Sequence, residues 1–342
     1  MVVLGVFIRP AWCASTLSVF IWSEYIDPEL VEQFEKDTGI KLELSLYEAT
    51  EDMLAKLQAP GGEGQFDLVV VSNEAVKSMI ELGLVQKLNK SKLPNYEGVM
   101  KKFRHQVYDP EELFTAPYQW GTTGLMWDAS KVQLGDSPSW ALVLGATAAN
   151  APGRFILLDT LRDQIGAALK FQGHSVNTTT PEQVKQAGRL ILQGKQSPKC
   201  VGFDGSVGGK NKVLAGSADI AVVYNGEALR AQEEKDTIAY AVPKEGSMLW
   251  VDLMVLCKGA KHVDEAHRFI DFILDAKVNA KLSNFNFFAT PVKASLDLID
   301  KEARENPAIY PSDEVLDRME FLQDVGASTP LYEEVWTAIK SR

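Results

Sequence analysis

Four consecutive residues, Trp22-Ser23-Glu24-Tyr25, set two aromatic rings, a hydroxyl and a carboxylate at the end of an apolar run that begins at Leu17. Rings and carboxylates together suit a cation, because the negative face of the ring and the carboxylate charge attract the same partner. Polar groups also close two other apolar runs, Tyr47 with Glu48 and Ser72 to Glu74. In open α/β sheets such strand ends share one edge, and ligand crevices lie there. One aromatic pair covering a helix entry would explain Trp22 and Tyr25 equally well; three converging strand ends favour a site.

Other chemistries find no support. His105, His174, His262 and His267 are scattered, without the spacing of metal ligands. Gly208-Gly209-Lys210 suggests a phosphate loop, but Asp204 stands where the first glycine belongs and Asn211 where Ser or Thr is needed. There is no Gly-x-Ser-x-Gly elbow, and Gly62-x-Gly64 lacks the third glycine of a dinucleotide fingerprint. No cofactor, metal or catalysis is expected. A carboxylate-based hydrolase stays open as another reading, since paired carboxylates can do acid-base work without a readable motif.

The elements that must hold these residues read as α/β. Leu17 to Trp22 suits a strand covered on both faces. Asp27 caps a helix, Pro28 fits its first turn, and Gly39 allows a left-handed stop, so the helix ends near Thr38. Lys41 to Tyr47 alternates, predicting a half-buried strand with Leu42, Leu44 and Leu46 on one side. A helix is expected from Thr50 to Leu57, a strand from Phe66 to Val71 and a helix from Glu74 to Leu82. This order argues for a parallel or mixed sheet with helices on both faces. Pro117 and Gly121-Thr-Thr-Gly124 read as a mobile polar link into a second domain. Asp219 to Tyr224, Ile238 to Val242 and Leu249 to Leu256 read as further strands, the last returning to the first domain.

The chain has 342 residues, 46% of them hydrophobic, and a formal charge of -11. It is long enough for two cores, and the charge opposes nucleic acid and anionic lipid as partners. No apolar run reaches the ~20 residues of a bilayer span, so a soluble chain is expected. Residues 1–15 resemble a truncated signal peptide that would carry away Cys13, which points to export. Cys257 lies in an apolar run and reads as a core residue, and no pairing with Cys200 is expected.

Several short motifs stand in a telling order: Trp22-Ser-Glu-Tyr25, Phe66-Asp-Leu-Val-Val with Ser72, Pro117-Tyr-x-Trp-Gly121, Asn225-Gly226, Trp250-x-Asp252 and Thr290-Pro291. In them the chain resembles the bacterial spermidine/putrescine-binding subunits of ABC importers, over nearly all of its length after residue 16. The resemblance implies a two-lobed periplasmic-binding-protein fold, each lobe a mixed sheet flanked by helices, with a polyamine held between hinged lobes. It further implies a periplasmic monomer that hands its ligand to a membrane permease. Lobe 1 would comprise residues 16–120 and 249–297, and lobe 2 residues 121–248 and 298–342.

Carried over position by position, the ligand box falls on Trp22, Ser23, Tyr25, Ser72, Tyr224, Trp250, Asp252 and Phe288. Its acidic loop falls on Asp159 to Asp163, and its terminal amide near Gln323. A string of ammonium groups joined by methylenes needs such carboxylates and aromatic walls, and Trp250-x-Asp252 places one of each on the same strand face. The chain departs from the family at Glu74, where a tyrosine is usual, at Tyr224 for tryptophan and at Phe288 for tyrosine. Thr160 replaces one loop acid, with Asp159 beside it, and Leu322 replaces the amide, with Gln323 beside it. Glu74 is expected either to anchor a ligand or only to favour the first turn of its helix. Another small ligand on the same fold is the other open reading.

Overall fold

The computed structural model describes residues 15–135 and 137–342. The signal-peptide reading and Cys13 concern residues outside this range. The opening unit follows directly from its sequence. Strand β1 (Thr16–Trp22) leads to helix α1 (Pro28–Thr38), whose N-cap Asp27 accepts a hydrogen bond from Glu29 N at 2.8 Å. Gly39 ends the helix at φ 70°, a conformation costly for any residue with a Cβ. Strand β2 (Lys41–Tyr47) pairs with β1 in parallel along its whole length. Helix α2 (Thr50–Gln58), strand β3 (Leu68–Ser72) and helix α3 (Asn73–Glu81) continue the alternation.

The expected alternation in β2 fails on one point. Leu42 is buried, but Leu44 and Leu46 are exposed. β2 is an edge strand in the order below, so one of its flanks lacks a neighbouring strand to help cover these side chains.

A short β4 (Val85–Gln86) precedes the long β5 (Thr115–Asp128). Then come β6 (Phe155–Leu158), α4 (Leu161–Phe171), α5 (Pro181–Lys195), β7 (Cys200–Asp204), α6 (Ser206–Leu214), β8 (Ile220–Tyr224) and α7 (Asn225–Glu234). Strands β9 (Ile238–Ala241) and β10 (Met248–Cys257) are followed by α8 (Val263–Leu274), α9 (Ala276–Asn286) and a two-residue β11 (Glu320–Phe321). A C-terminal helix spans Thr329–Ser341. Among the described residues the strands run β2-β1-β3-β10-β5-β8-β6-β7.

Two large apolar cores occupy opposite ends of this order. The first is built on β1, β3 and most of β10; the second on β6, α4, α5 and the C-terminal helix. β5 joins them. Thr115 to Thr122 of β5 pair with β10, and Thr123 to Trp127 pair with β8. The supposed mobile link Gly121–Gly124 is therefore the buried middle of a strand, its first half paired with β10 and its second half with β8. Its glycines serve close approach instead of flexibility. A Cβ on Gly121 would lie 2.5 Å from both the Trp250 ring and Asn225 Oδ1, and one on Gly124 2.6 Å from the Tyr240 ring.

The tail also divides differently from expectation. Ile299, Ala303 and Ile309 pack into the first core, while Leu322, Val325, Tyr332 and Ile339 pack into the second. Residues just after α9 cover the lobe that α9 already joins, so the change of lobe falls near β11, which pairs with the start of β10.

Gly121→Ala is expected to destabilise the protein by about 1–3 kcal/mol through overpacking against Trp250 and Asn225. Urea unfolding, read as a lower midpoint at unchanged slope, checks it.

Candidate functional site

The strand order gathers the chemistry at one point. Asp252 of β10 stands opposite Ser72 of β3 on one side and Gln119 of β5 on the other. Trp250, two residues earlier, projects from the same face and packs edge-on against Tyr224 at 5.3 Å and Phe288 at 5.1 Å between ring centres. Phe288 in turn meets Tyr25 at 5.3 Å, and Trp22 lies over Tyr47 at 4.2 Å. These rings wall a cleft between the two cores that holds about 630 Å³ of empty space, open solvent included.

Ten of the twelve residues singled out in the sequence border this cavity. The first strand end contributes Trp22, Ser23 and Tyr25; the next polar end contributes Ser72 and Glu74. Asp163 and Tyr224 come from the second lobe, and Trp250, Asp252 and Phe288 complete the set. Ser72 Oγ donates to Glu74 Oε2 at 2.5 Å. Asp163 accepts from Thr123 Oγ1 at 2.5 Å and from the Tyr224 hydroxyl at 3.4 Å.

Asp159 and Gln323 do not border it. Asp159 turns outward, where both its oxygens accept from Lys340 Nζ at 2.7 and 2.6 Å. Thr160, the next residue, takes its place in the wall. Gln323 is exposed and fixed by its backbone: its carbonyl accepts from Arg162 Nη1 at 2.6 Å and its N-H donates to Asn177 Oδ1 at 2.8 Å. Its neighbour Leu322 is fully buried, with its carbonyl held by the Asn73 side chain.

Five lining residues escaped the sequence reading as site candidates: Glu48, Thr50, Ser206, Val207 and Glu227. Glu48 was at least marked as a strand end, and Glu227 opens α7 three residues after β8 ends. Ser206 and Val207 follow β7, whose CVGFD sequence is mostly half-exposed and carries no apolar pattern from which a strand end is legible.

Electrostatics set the character of the site. Burial pushes the Asp252 carboxyl up to about 8, with the charges of Glu74 and Asp163 adding to the effect, while the Tyr25 hydroxyl opposes it. Burial likewise lifts Asp163 to about 7, reinforced by Glu74 and resisted by its hydrogen bonds and by Arg162. Among the described residues no Lys or Arg forms an ion pair with Asp252, Asp163 or Glu74; the nearby cations are engaged by Glu227 and Glu24. The indole N-H groups of Trp22 and Trp250 are buried without hydrogen-bond partners, and the buried Tyr25 hydroxyl faces Asp252. The arrangement can accept positive charge and apolar chain together.

Glu24 bridges the two lobes. Its backbone adopts φ 53°, and its carboxylate reaches Lys210 Nζ on α6 at 2.9 Å and Arg230 Nη2 on α7 at 3.1 Å. Arg230 Nη1 also donates to the Glu24 carbonyl at 2.8 Å. This loop of the first lobe is thereby tied to two helices of the second.

Both raised carboxyls retain protons in the folded protein that the unfolded chain has released. From about pH 4, where a free aspartate ionises, to about pH 8, the contribution of these two groups to the stability of the ligand-free protein should therefore fall as pH rises. Thermal melts should show this slope flattened in Asp252→Asn/Asp163→Asn, with the variant gaining on its parent by on the order of a few kcal/mol at the alkaline end.

Residues 29–311 match the family model for bacterial extracellular solute-binding proteins. The chain is 32% identical over 327 residues to the spermidine/putrescine-binding periplasmic protein of Escherichia coli, covering 96% of this chain and 92% of that one. It is 33% identical over 341 residues to a putrescine-binding periplasmic protein of Pseudomonas aeruginosa, covering 95% and 92%. Among solved structures, the spermidine/putrescine ABC transporter substrate-binding protein of Streptococcus pneumoniae superposes with a TM-score of 0.77 at 26% identity, over 96% of this chain and 99% of that one. A lipoprotein of Treponema pallidum superposes at 0.82 and 26% identity, over 96% and 100%.

Proposed function

The chain belongs to the bacterial extracellular solute-binding proteins, and from that premise we propose that it is the ligand-capturing subunit of an ABC importer for linear polyamines. One observation carries the reading: Asp252, Asp163 and Glu74 crowd an aromatic-walled cavity, and no lysine or arginine among the described residues forms an ion pair with them. Such a site gains most from a ligand that brings several positive charges on an apolar chain. An ammonium at Asp252 relieves the repulsion from Glu74 and Asp163, and the methylenes lie against Trp250, Tyr25 and Phe288. The names of the relatives support the same ligand class and a place outside the cytoplasm. A membrane permease is the partner this role requires. The Glu24 ties to Lys210 and Arg230 hold the lobes together, as closure on a ligand demands.

Asp252→Asn should weaken putrescine and spermidine binding by on the order of 2 to 5 kcal/mol, since it removes the partner of a desolvated ammonium. Calorimetry in two buffers of different ionisation enthalpy should also show the parent protein releasing protons on binding at pH 7, and affinity rising towards pH 8, because Asp252 must lose the proton it holds up to about 8. Proton-neutral binding and an unaffected Asp252→Asn would exclude this site. Small-angle scattering should show a smaller radius of gyration with saturating spermidine than without it; superimposable curves would count against closure of the lobes.

A further inference from the structure

The cleft does not stop at Glu74. A second pocket, with about 610 Å³ of empty space, open solvent included, shares Thr50, Glu74 and Thr160 with the first. One side is formed by α2 and α3, the other by the start of α4 and the segment that leads into the C-terminal helix. Glu51, Asp324 and Glu333 border it in addition to Glu74. Asp324 is already engaged, 3.7 Å from Lys77 Nζ. The wall also holds one cation, Arg162, whose partners are neutral: its Nη1 donates to the Gln323 carbonyl at 2.6 Å, its Nη2 to Asn177 Oδ1 at 3.0 Å, and its guanidinium lies over the Tyr332 ring at 5.1 Å, so it keeps its charge but is outnumbered by the four carboxylates. Thr50 supplies an independent sign. The residue borders both cavities and is only 8% exposed, and its hydroxyl is buried without a hydrogen-bond partner.

We propose, on the basis of the polyamine reading above, that this second compartment is the subsite for a third ammonium, which lets the protein distinguish a linear triamine from a diamine. A diamine spans Asp252 and Asp163 to Glu74 and ends there. A triamine continues past Glu74, where its next ammonium meets the Glu51 carboxylate and donates to Thr50 Oγ1. The charges support one continuous path. Although Glu51 lies exposed at the rim, the surrounding cleft walls raise its carboxyl above the ordinary value, and Glu74, Asp52 and Asp159 raise it further. Glu74 acts in the same way on Asp163 and Asp252. Each carboxylate on this line feels the next, so positive charge anywhere along it is favoured by more than one group.

Calorimetric titration of the full chain with putrescine and with spermidine tests the subsite, comparing the parent with Glu51→Gln and with Ser78→Phe, whose ring would fill the compartment from α3. Glu51→Gln should weaken spermidine by about fivefold, the effect of one partly exposed charge pair, with putrescine unchanged. Ser78→Phe should reduce spermidine affinity at least as far, and its retained putrescine binding shows that the variant is folded. Equal losses for both amines, or spermidine affinity untouched by either substitution, would overturn the subsite while leaving the polyamine reading intact. A parent protein that binds neither amine would overturn both.

Discussion

Negative charge confined where water is scarce is the constraint from which the site follows. Asp252 is a residue of a central strand, with β3 on one side and β5 on the other, and it cannot swing out to solvent without breaking that pairing. Its charged form is therefore penalised by position, and Glu74 and Asp163 enlarge the penalty. The remaining features answer this. Aromatic rings exclude water and offer their faces to a cation, Ser72 and Thr123 steady the neighbouring carboxylates, and Lys210 and Arg230 are occupied by Glu24 and Glu227. A protein organised for stability alone would place a salt bridge or an apolar side chain here.

Legibility in the sequence tracked how local the determining physics was. The β1 to α1 unit could be read almost to the residue, because Asp27, Pro28 and Gly39 each act on their own neighbours. Trp250 and Asp252 were legible as a pair because a strand's two-residue period needs no tertiary information. Gly121 to Gly124 misled, since glycine in a loop and glycine under an indole ring look identical until the ring's partner strand is known. Leu44 and Leu46 misled for a related reason: alternation reveals a two-sided strand but not whether anything covers its outer flank.

The two displaced site residues, Asp159 and Gln323, show a finer limit. Each lies next to a more buried neighbour, Thr160, which borders the cavity, in one case and Leu322, which packs into the second core, in the other. Polar character suggested the neighbour that could bind a ligand; backbone direction decided which one faces inward. At the turn from β6 to α4 a shift of one residue reverses the side chain, and the hydrogen bonds from Lys340 reveal the choice made.

The placement of β10 bears on how the chain comes into being. This strand lies between β3 and β5, yet it is preceded in sequence by nearly the whole second lobe. The sheet of the first lobe thus lacks its middle member until most of the chain has been synthesised, and β3 has no antiparallel partner to meet in the meantime. Long-range pairing of this kind is slow to form, because a large loop must close before any contact rewards it. Completion of the first lobe is thereby coupled to synthesis of the second, since its sheet closes only once Met248–Cys257 has returned from it.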